Sequence, residues 1–453
     1  MAEYLSPGVY VEEFDSGSKP MEGVGTSTAG FVGLAERGPV SGVPQLAANF
    51  ADFKRTYGGY LSENEFGEYR FLAYAVEQFF LNGGARCFIS RVAPSDAKCS
   101  KGSVPKEKPV LQIVSKKTAK SDLAEISYTG SQTAEAAAPF DEIAAGSTEE
   151  KVQVSLTGGS NGSVTNISAA DFIGVDNGAG NRTGIQSFVD NDVVSIMAVP
   201  GVTDPNVQLT LVAHCENLAS RFAVLDMPRD ARKVQDVSNH REIVDSTYAA
   251  MYHPWLQVFD PLDKKNIMIP PSGSVIGIYA RSDNSRGVHK APANEVVRGC
   301  VGLDCQFNKG EQDILNPKGV NLIRVFPGRG IRVWGARTTS SDGSWKYINV
   351  RRLFIYIEES IKANTNWAVF EPNDEVLWVR VQRTISVFLN NMWRDGSLAG
   401  SSPEKAFFVN IGRDTMSQDD IDNGRLICVI GVAPVKPAEF VIFRITQKTN
   451  TAE

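Results

Sequence analysis

Apolar residues recur every three or four positions in four segments of the chain, which is the spacing of one face of an α-helix. Gly83 and Gly84 directly follow the apolar stripe of 68–82 and are a signal for the end of a helix. Gly396 lies just beyond the stripe of 374–393. The predicted helices are 68–82 with Leu72, Ala75 and Phe79; a segment with Val207, Leu211, His214 and Leu218; 347–363 with Val350, Phe354, Ile357 and Ile361; and 374–393 with Leu377, Val381, Ile385, Phe388 and Met392.

Short apolar runs predict strands between and after these helices. They read ARCFISRV, FAVLDMP, AAMYHPWLQVFDP, NLIRVF, IRVWGA, AFFVNI, RLICVIGVAPV and EFVIFRIT. A polar helix is expected between FAVLDMP and AAMYHPWLQVFDP, and this strand–helix–strand alternation predicts an α/β layer with some parallel pairing. Gly328 and Gly330 predict a tight turn between NLIRVF and IRVWGA.

The stretch from about 96 to 190 interrupts this pattern. It is rich in Ala, Ser, Thr, Lys, Glu and Gly, and it includes the runs KGSVPKEKP, TAEAAAP and LTGGSNGS. Such a composition supports only a thin core or irregular loops. We therefore expect an insertion that is exposed on a surface.

Length and charge narrow the class of protein. The chain has 453 residues, of which 42% are hydrophobic, and this length predicts two to four domains. A net charge of -6 and a pI near 5.5 give no overall attraction to nucleic acid or anionic lipid. The opening MAEYLSPGVYVEEF lacks the basic and apolar regions of a signal peptide, and no run is long enough to span a bilayer. A soluble protein made in the cytosol is expected.

The segment Gly25-Thr26-Ser27-Thr28-Ala29 is similar to the nucleophile motif of subtilisin-like peptidases. In those enzymes the serine opens a helix and follows the aspartate and the histidine along the chain. Here Ser27 precedes every histidine, and the strand-like run GFVGLA follows it. His214 lies on an apolar helical stripe, and none of the other histidines lies in a glycine-rich turn. No catalytic residue is predicted.

The spacing of residues does not predict a site for a cofactor or a metal ion. The glycine-rich runs at 177–181 and 327–330 do not match a phosphate-binding loop. No C-x-x-C pair occurs among the six cysteines, which are expected to be reduced and structural, and no metal site is predicted. A local basic cluster comprises Arg324, Arg329, Arg332 and Arg337. It has two interpretations: a surface that contacts an acidic partner, or a solvated loop with internal ion pairs.

Several sequence segments resemble those of the tail sheath family of contractile phages, R-type bacteriocins and related extracellular injection particles. They are LSPGVYVEEF, TAGFVGLAERGP, YHPWLQVFDP, PPSGSVIGIYARSDNSRGVHKAPANE, LNPKGVNLIRVFPGRGIRVWGARTTSSD, YINVRRLFIYIEESI, FEPND and VAPVKPAEFVIFRITQ. The resemblance covers about 1–95 and 195–450, and the insertion carries none of these segments.

The resemblance implies a structural subunit rather than an enzyme. It implies stacked hexameric rings around an inner tube, a metastable extended state, and a contraction that drives the tube through a target envelope. The implied partners are further copies of the chain, the tube protein, and baseplate and tail-terminator or cap proteins; no cofactor, nucleic acid or membrane insertion is implied. Assembly is expected in the producing bacterium, followed by a place in a phage tail or a released particle. The alternative is a degenerate or active subtilisin-like hydrolase, and a tube or baseplate component is a weaker third interpretation.

The implied fold class is α/β (mixed α+β), with a sheath-type core that contains a subtilisin-like α/β module. The expected divisions are an N-terminal arm and linker (1–22), a first core segment (23–95), the surface insertion domain (96–192), a second core segment with the subtilisin-like module (193–345), and a C-terminal inner domain with a terminal β-arm (346–453).

Both chain termini are predicted to be exchangeable β-arms. Segment 7–14 alternates as a short strand and is followed by the tether DSGSKPMEGVG, whereas the C-terminal run is apolar on both faces. Either each strand completes its own subunit's sheet or, as the resemblance implies, it joins the C-terminal sheet of a neighbour. The predicted exchange residues are Val9, Tyr10, Val11, Phe440, Val441, Ile442, Phe443 and Ile445.

On helix 374–393, the face opposite the apolar stripe carries Arg380 and Arg383, and Arg394 continues it. The resemblance places a helix of the inner domain against the tube in the extended state. These arginines are therefore candidates for contacts with acidic tube residues, the other interpretation being a solvated helix face.

Overall fold

The computed structural model describes residues 21–97 and 162–440, together with the backbone of three short strands between them. The chain forms two compact units. The larger unit comprises Gly25–Tyr356 and the chain from Lys436, and the smaller unit comprises Ile357–Val435 and the chain up to Val24. The division falls inside a helix, between Tyr356 and Ile357, and the domain bounds expected from the sequence stay a prediction.

The strands follow the apolar runs closely. In chain order they are β1 (Ala29–Leu34), β2 (Gln45–Ala47), β3 (Cys87–Val92), β4 (Lys101–Ser103), β5 (Leu111–Ser115), β6 (Ala124–Tyr128), β7 (Ile196–Ala198), β8 (Phe222–Asp226), β9 (Ala249–His253), β10 (Leu256–Asp260), β11 (Lys265–Ile269), β12 (Glu295–Val296), β13 (Gly302–Leu303), β14 (Val320–Phe326), β15 (Gly330–Val333), β16 (Phe407–Ile411) and β17 (Cys428–Val432).

The helices lie between them. They are α1 (Phe50–Tyr57), α2 (Glu63–Phe66), α3 (Leu72–Asn82), α4 (Ala169–Ile173), α5 (Pro205–Leu218), α6 (Val234–Arg241), α7 (Ser272–Arg286), α8 (Lys309–Leu315), α9 (Ile348–Thr365), α10 (Glu375–Arg394), α11 (Pro403–Ala406) and α12 (Gln418–Asp422). Four of them confirm the stripes at 68–82, 207–218, 347–363 and 374–393.

A nine-stranded sheet organises the larger unit, in the order β12-β15-β14-β9-β8-β7-β1-β3-β2. Its central pairs are parallel, from β3 through β1, β7, β8 and β9 to β14, which confirms the predicted mixed α/β class with parallel pairing. Parallel strands of this kind are covered on both faces, so their sequences are almost continuously apolar. In β1, all six residues are buried.

Alternate residues of these strands contribute side chains to two apolar layers, one on each face of the sheet. Phe31 and Val224 belong to one cluster of buried side chains, and Val32 and Leu225 belong to the other. Helices α3 and α7 pack together within the first layer. At Gly273 and Gly277 of α7, a Cβ atom would lie 2.3 Å from the Ala75 carbonyl oxygen and 2.5 Å from the Phe79 carbonyl oxygen, so this close helix contact requires glycine.

The run AAMYHPWLQVFDP forms two strands instead of the single strand predicted. Strand β9 ends at His253 and lies in the large sheet, whereas β10 begins at Leu256 and pairs with β11 and β13 in a separate three-stranded sheet. Pro254 separates them, and because proline has no N–H it cannot donate to a continuous ladder.

The predicted insertion ends earlier than residue 192. Phe172, Ile185 and Phe188 are each at most 1% exposed and pack in the second apolar layer of the larger unit. These few apolar residues are widely spaced in a glycine-rich sequence, so the composition of the stretch concealed its packing. Of the remainder, the structure describes an antiparallel backbone sheet of β4, β5 and β6, and a surface role for this stretch stays a prediction.

Excision of residues 98–161 should leave the larger unit folded. The chain leaves the core at Ala97 and returns at Gly162, and the Asp96 carboxylate accepts hydrogen bonds from the Ser163 N–H at 3.1 Å, so a short Gly/Ser linker can join the two ends. The thermal midpoint of the purified deletion variant should stay within about 2 °C of the full chain, a shift that corresponds to about 1–2 kcal/mol at this length.

A matched deletion of 98–188 removes Phe172, Ile185 and Phe188 as well, and it should fail to fold because loss of each large core side chain costs about 3–5 kcal/mol. An equal loss of folded protein in both variants would show that the stretch before Gly162 belongs to the core.

Candidate functional site

Ser27 is not placed for nucleophilic catalysis. Its hydroxyl donates to the Asn284 side-chain oxygen at 3.4 Å, and it precedes strand β1 rather than opening a helix. His214 is 6% exposed and contacts the Arg221 guanidinium at 3.2 Å; burial, together with the Arg221 charge, lowers the pKa of His214 to about 4. It is the satisfied core histidine that the apolar stripe indicated.

Two other polar pairs lie near the carboxyl ends of strands β8 and β9, where α/β enzymes often hold active sites. The Ser272 hydroxyl donates to the Asp226 carboxylate at 2.7 Å, but both residues are almost completely buried. The Cys305 sulfur lies 3.7 Å from Nε2 of His253. Burial raises the pKa of the Cys305 thiol to about 11 and lowers the pKa of His253 to about 4, and both shifts favour the neutral thiol and the neutral imidazole over a thiolate–imidazolium pair.

Substitution Ser27→Ala should remove no measurable hydrolysis. Its hydroxyl has a weak, exposed hydrogen bond and no histidine partner, so the expected change in peptidase or esterase turnover is nil. Fluorophosphonate labelling of the purified wild-type chain measures this directly, with Ser272→Ala as the matched variant. A specific activity that disappears with Ser27 would establish a hydrolase.

Within 21–97 and 162–440, no cluster of three His, Cys, Asp or Glu side chains is arranged to hold a metal ion. None of the helices in the described portion of the chain is long and apolar enough to cross a membrane. The five described cysteines are free thiols.

The smaller unit contains an open two-stranded sheet. Strands β16 and β17 pair antiparallel, from Phe407 opposite Val432 to Ile411 opposite Cys428. Helix α10 packs against β16, and the Gln382 side chain donates to the Val409 carbonyl at 2.7 Å. Among the described residues no third strand joins this sheet. Within the described residues, the sheet therefore ends in two strand edges that no further strand covers, and such an edge is a template for strand addition.

The outward face of this sheet is apolar. Phe408 is 51% exposed and Val429 is 44% exposed, and both lie on the face away from buried Val409. The Phe408 ring covers Gly431, where a Cβ atom would lie only 2.1 Å from a ring carbon. Exposed apolar groups on an open sheet indicate a surface that another segment covers.

The two described ends of the chain are fastened to their units by hydrogen bonds. In the smaller unit, the Glu22 N–H donates to the Asn364 side chain at 3.2 Å, and the Val24 N–H donates to the Ser360 hydroxyl at 3.1 Å. In the larger unit, Glu439 accepts two hydrogen bonds from Arg337. Phe440, the next residue, is 70% exposed.

Most of the predicted exchange residues lie outside the described residues: Val9, Tyr10, Val11, Val441, Ile442, Phe443 and Ile445. Phe440 alone is described. What sequence reasoning missed is the role of Glu439, whose partner Arg337 is 102 residues away. The predicted basic cluster is divided accordingly, because Arg337 is buried in this pair while Arg324, Arg329 and Arg332 belong to the β14–β15 hairpin.

Helix α10 exposes a basic and apolar face. Arg380, Arg383 and Arg394 are all exposed, and Arg380 packs over the Trp367 ring at 4.3 Å from its centroid. At the helical spacing these arginines share a face with Val376 and Val387, which are 75% and 49% exposed. Glu375 is the only acidic residue in the helix. This face fits a partner that offers carboxylates beside apolar groups.

The described surfaces, with uncovered strand edges and an exposed apolar face, suit a structural protein that assembles with other chains. The sequence model of the phage tail sheath protein central domain matches residues 177–339, and that of the phage tail sheath C-terminal domain matches residues 340–448. The chain belongs to the phage tail sheath protein family. It is a structural subunit of a contractile sheath, not an enzyme.

Individual relatives agree with this assignment. The chain is 25% identical over 290 residues to a prophage major tail sheath protein of Pseudomonas aeruginosa, covering 61% of this chain and 72% of the relative. It is 23% identical over 293 residues to the tail sheath protein of Escherichia phage P2, covering 62% and 71%.

Solved structures give the same result. A PVC sheath complex of an extracellular contractile injection system, in the contracted state, superposes with a TM-score of 0.66 at 27% identity and covers 99% of both chains. The helical sheath of the anti-feeding prophage, also contracted, has a TM-score of 0.66 at 26% identity and covers 98% of this chain and 99% of the other.

Proposed function

We propose that this chain stacks as hexameric rings around an inner tube and that contraction of the lattice drives the tube through a target envelope. The similar sheath of the anti-feeding prophage is described as helical, and another similar chain comes from a six-fold symmetrised baseplate of the same prophage. Further copies of the chain, the tube, the baseplate and a terminator or cap are the proposed partners. Assembly is proposed to occur in the producing cell, before release or incorporation into a tail.

The observation that carries this proposal is the open β16–β17 sheet. Helix α10 already supports this sheet on one face, so added strands would pair with its edges and extend the sheet. The predicted arms at 7–14 and from Phe440 onward supply strands of suitable length. Because one patch of the subunit meets a different patch of its neighbour, the contact is heterologous and propagates into a polymer instead of closing as a dimer.

Strand exchange also suits a lattice that contracts. Main-chain pairing through arms keeps subunits connected while compact units rotate, and two packings of the same subunits then differ in free energy with a barrier between them. The exposed face of α10 is proposed to touch the tube in one of these packings. Arg380, Arg383 and Arg394 would pair with tube carboxylates while Val376 and Val387 lie against apolar groups.

Disulfide trapping tests the exchange. A cysteine at Val9 should crosslink to a cysteine scanned through positions 426–432, and native Cys428 at the start of β17 already supplies one of these thiols. Cross-strand Cβ atoms lie about 4.5–5.5 Å apart, within reach of a disulfide after small adjustment. Assembled protein should give covalent dimers and higher multimers.

The control variants are Cys428→Ser, which removes the native partner, and Val9→Cys with Val301→Cys, which places the second thiol on an exposed residue of the larger unit. Crosslinks confined to single chains would show that the arm completes its own subunit's sheet. Equal crosslinking to position 301 would reveal random collision.

A further inference from the structure

A largely buried ion pair holds the last described segment of the chain, residues 436–440. In residues 436–440, the side chains alternate: Lys436, Ala438 and Phe440 are exposed, whereas Pro437 and Glu439 are partly buried. Glu439 retains only 18% side-chain exposure, and its partner Arg337 retains 7%. A carboxylate is therefore directed inward from a segment that otherwise lies at the surface.

The carboxylate is received by a set of donors. Nε of Arg337 donates to one Glu439 oxygen at 2.7 Å and an Nη donates to the other at 2.6 Å. The Asn316 amide donates at 3.1 Å, the Tyr347 hydroxyl at 3.3 Å, and the Lys346 ammonium lies 3.7 Å away. Two-point pairing of a planar guanidinium with a carboxylate fixes direction as well as position.

Arg337 is also held in place by contacts that do not involve Glu439. Its backbone N–H donates to the Asn321 side-chain oxygen at 2.7 Å, and its Nη1 donates to the Asn316 carbonyl at 3.1 Å. The Asn321 amide returns a hydrogen bond to the Arg337 carbonyl at 2.8 Å. The pocket is thus formed by residues 316–347, and Glu439, from the last described segment of the same unit, occupies it.

Release of the segment would leave a buried cation without its anion. Breaking a buried pair by removing one partner costs far more than the pair contributes against water, because the remaining charge is uncompensated. Partial burial opposes ionisation of Glu439, but hydrogen bonds from Arg337 and Asn316 and the charges of Arg337 and Lys346 outweigh it, so the pKa of Glu439 is lowered. The carboxylate therefore stays charged in the pocket at neutral pH.

We propose that the Arg337 pocket is the anchor of the C-terminal arm: it fixes Glu439 on its own subunit, so that the residues after it pair with a neighbour in a single register. This inference rests on the strand exchange proposed above and adds the residues that position it. Strand pairing alone tolerates slippage by two residues, since the same side chains then face the same side. Because Glu439 is held in place directly before the arm, the arm cannot slip along the neighbouring strand.

The test combines Glu439→Gln, which keeps the shape and removes the charge, with Glu439→Asp, which keeps the charge. Glu242→Gln is the matched control, because Glu242 forms an exposed pair with Lys318. Hydrogen–deuterium exchange of the monomer should show uptake in 436–440 rising at least about tenfold in Glu439→Gln, with the large sheet unchanged. Glu439→Asp should lie closer to wild type, and Glu242→Gln should match wild type.

Register is the readout that a merely structural role would not change. Assembled chains carry a cysteine at Ile442 and a second one scanned along β16, Phe407–Ile411. Crosslinks between chains should be confined to one or two positions in wild type and in Glu242→Gln, and should spread across the strand in Glu439→Gln. Confined crosslinks in Glu439→Gln, or unchanged uptake in 436–440, would overturn the anchor.

Failure of strand exchange gives a different result. If wild type forms no crosslink between chains, and a chain that stops after Phe440 still polymerises, then the C-terminal arm is not exchanged. The positioning role of Glu439 is then wrong as well. If the chain that stops after Phe440 loses polymer while register is insensitive to Glu439, strand exchange stands and the anchor alone is wrong.

Discussion

Deletion of residues 1–20 should yield a folded monomer that no longer polymerises. The truncation removes the predicted arm at 7–14 but keeps Glu22 and Val24, whose backbone N–H groups bind Asn364 and Ser360 of helix α9. Strand addition works through main-chain hydrogen bonds of about 1 kcal/mol each, so loss of three weakens one contact roughly a hundredfold. Every contact along the lattice suffers the same loss, and polymer should fall below detection.

Sedimentation and electron microscopy measure the polymer, and thermal unfolding measures the fold. The thermal midpoint of the truncated monomer should stay within about 2 °C of the full chain, a shift that corresponds to about 1–2 kcal/mol at this length. Deletion of residues 1–5 is the matched control, because it leaves the strand intact. Polymer of normal yield from the chain without residues 1–20 would show that the N-terminal arm does not connect subunits.

Reversal of the basic face of α10, with Arg380, Arg383 and Arg394 all changed to Glu, should prevent extended sheath from forming on the tube. Each exposed ion pair contributes only about 0–1 kcal/mol, but every subunit along the tube repeats it, and like charges brought together add repulsion. The side chains are exposed, so the monomer should keep its stability. The yield of extended sheath in the presence of tube protein is the measurement.

A triple reversal elsewhere controls for net charge. Arg55, Arg298 and Arg413 are exposed and lie outside α10, and changing them to Glu alters the charge by the same amount. This variant should assemble on the tube with the yield of the wild type. Wild-type yields from the α10 variant would leave this face as an ordinary solvated helix surface.

Local patterns foretold the elements that depend on nearby residues. The apolar stripe of 68–82 ends at Gly83, which adopts a left-handed φ of 118° and closes α3. Gly328 and Gly330, with φ of 70° and 78°, make the turn between β14 and β15 as their spacing indicated. The burial of His214 followed from its place on a helical stripe.

Features that depend on distant residues escaped the sequence. Phe172, Ile185 and Phe188 complete a layer whose other members are far away in the chain, so their polar surroundings suggested a surface position. Glu439 looks like an ordinary charge in an apolar run until the fold places Arg337 beside it. The exposed valines of α10 were also missed, because the arginines drew the interpretation toward charge alone.

The central claim is that this chain is the subunit of a contractile sheath, and cryo-electron microscopy of the full-length protein, expressed with and without its tube protein, tests it most directly. We expect six-fold helical tubes in which arms cross between subunits, long and narrow around the tube protein and shorter and wider after contraction. Monodisperse chains under all conditions, or a polymer without six-fold symmetry that never encloses the tube, would contradict it.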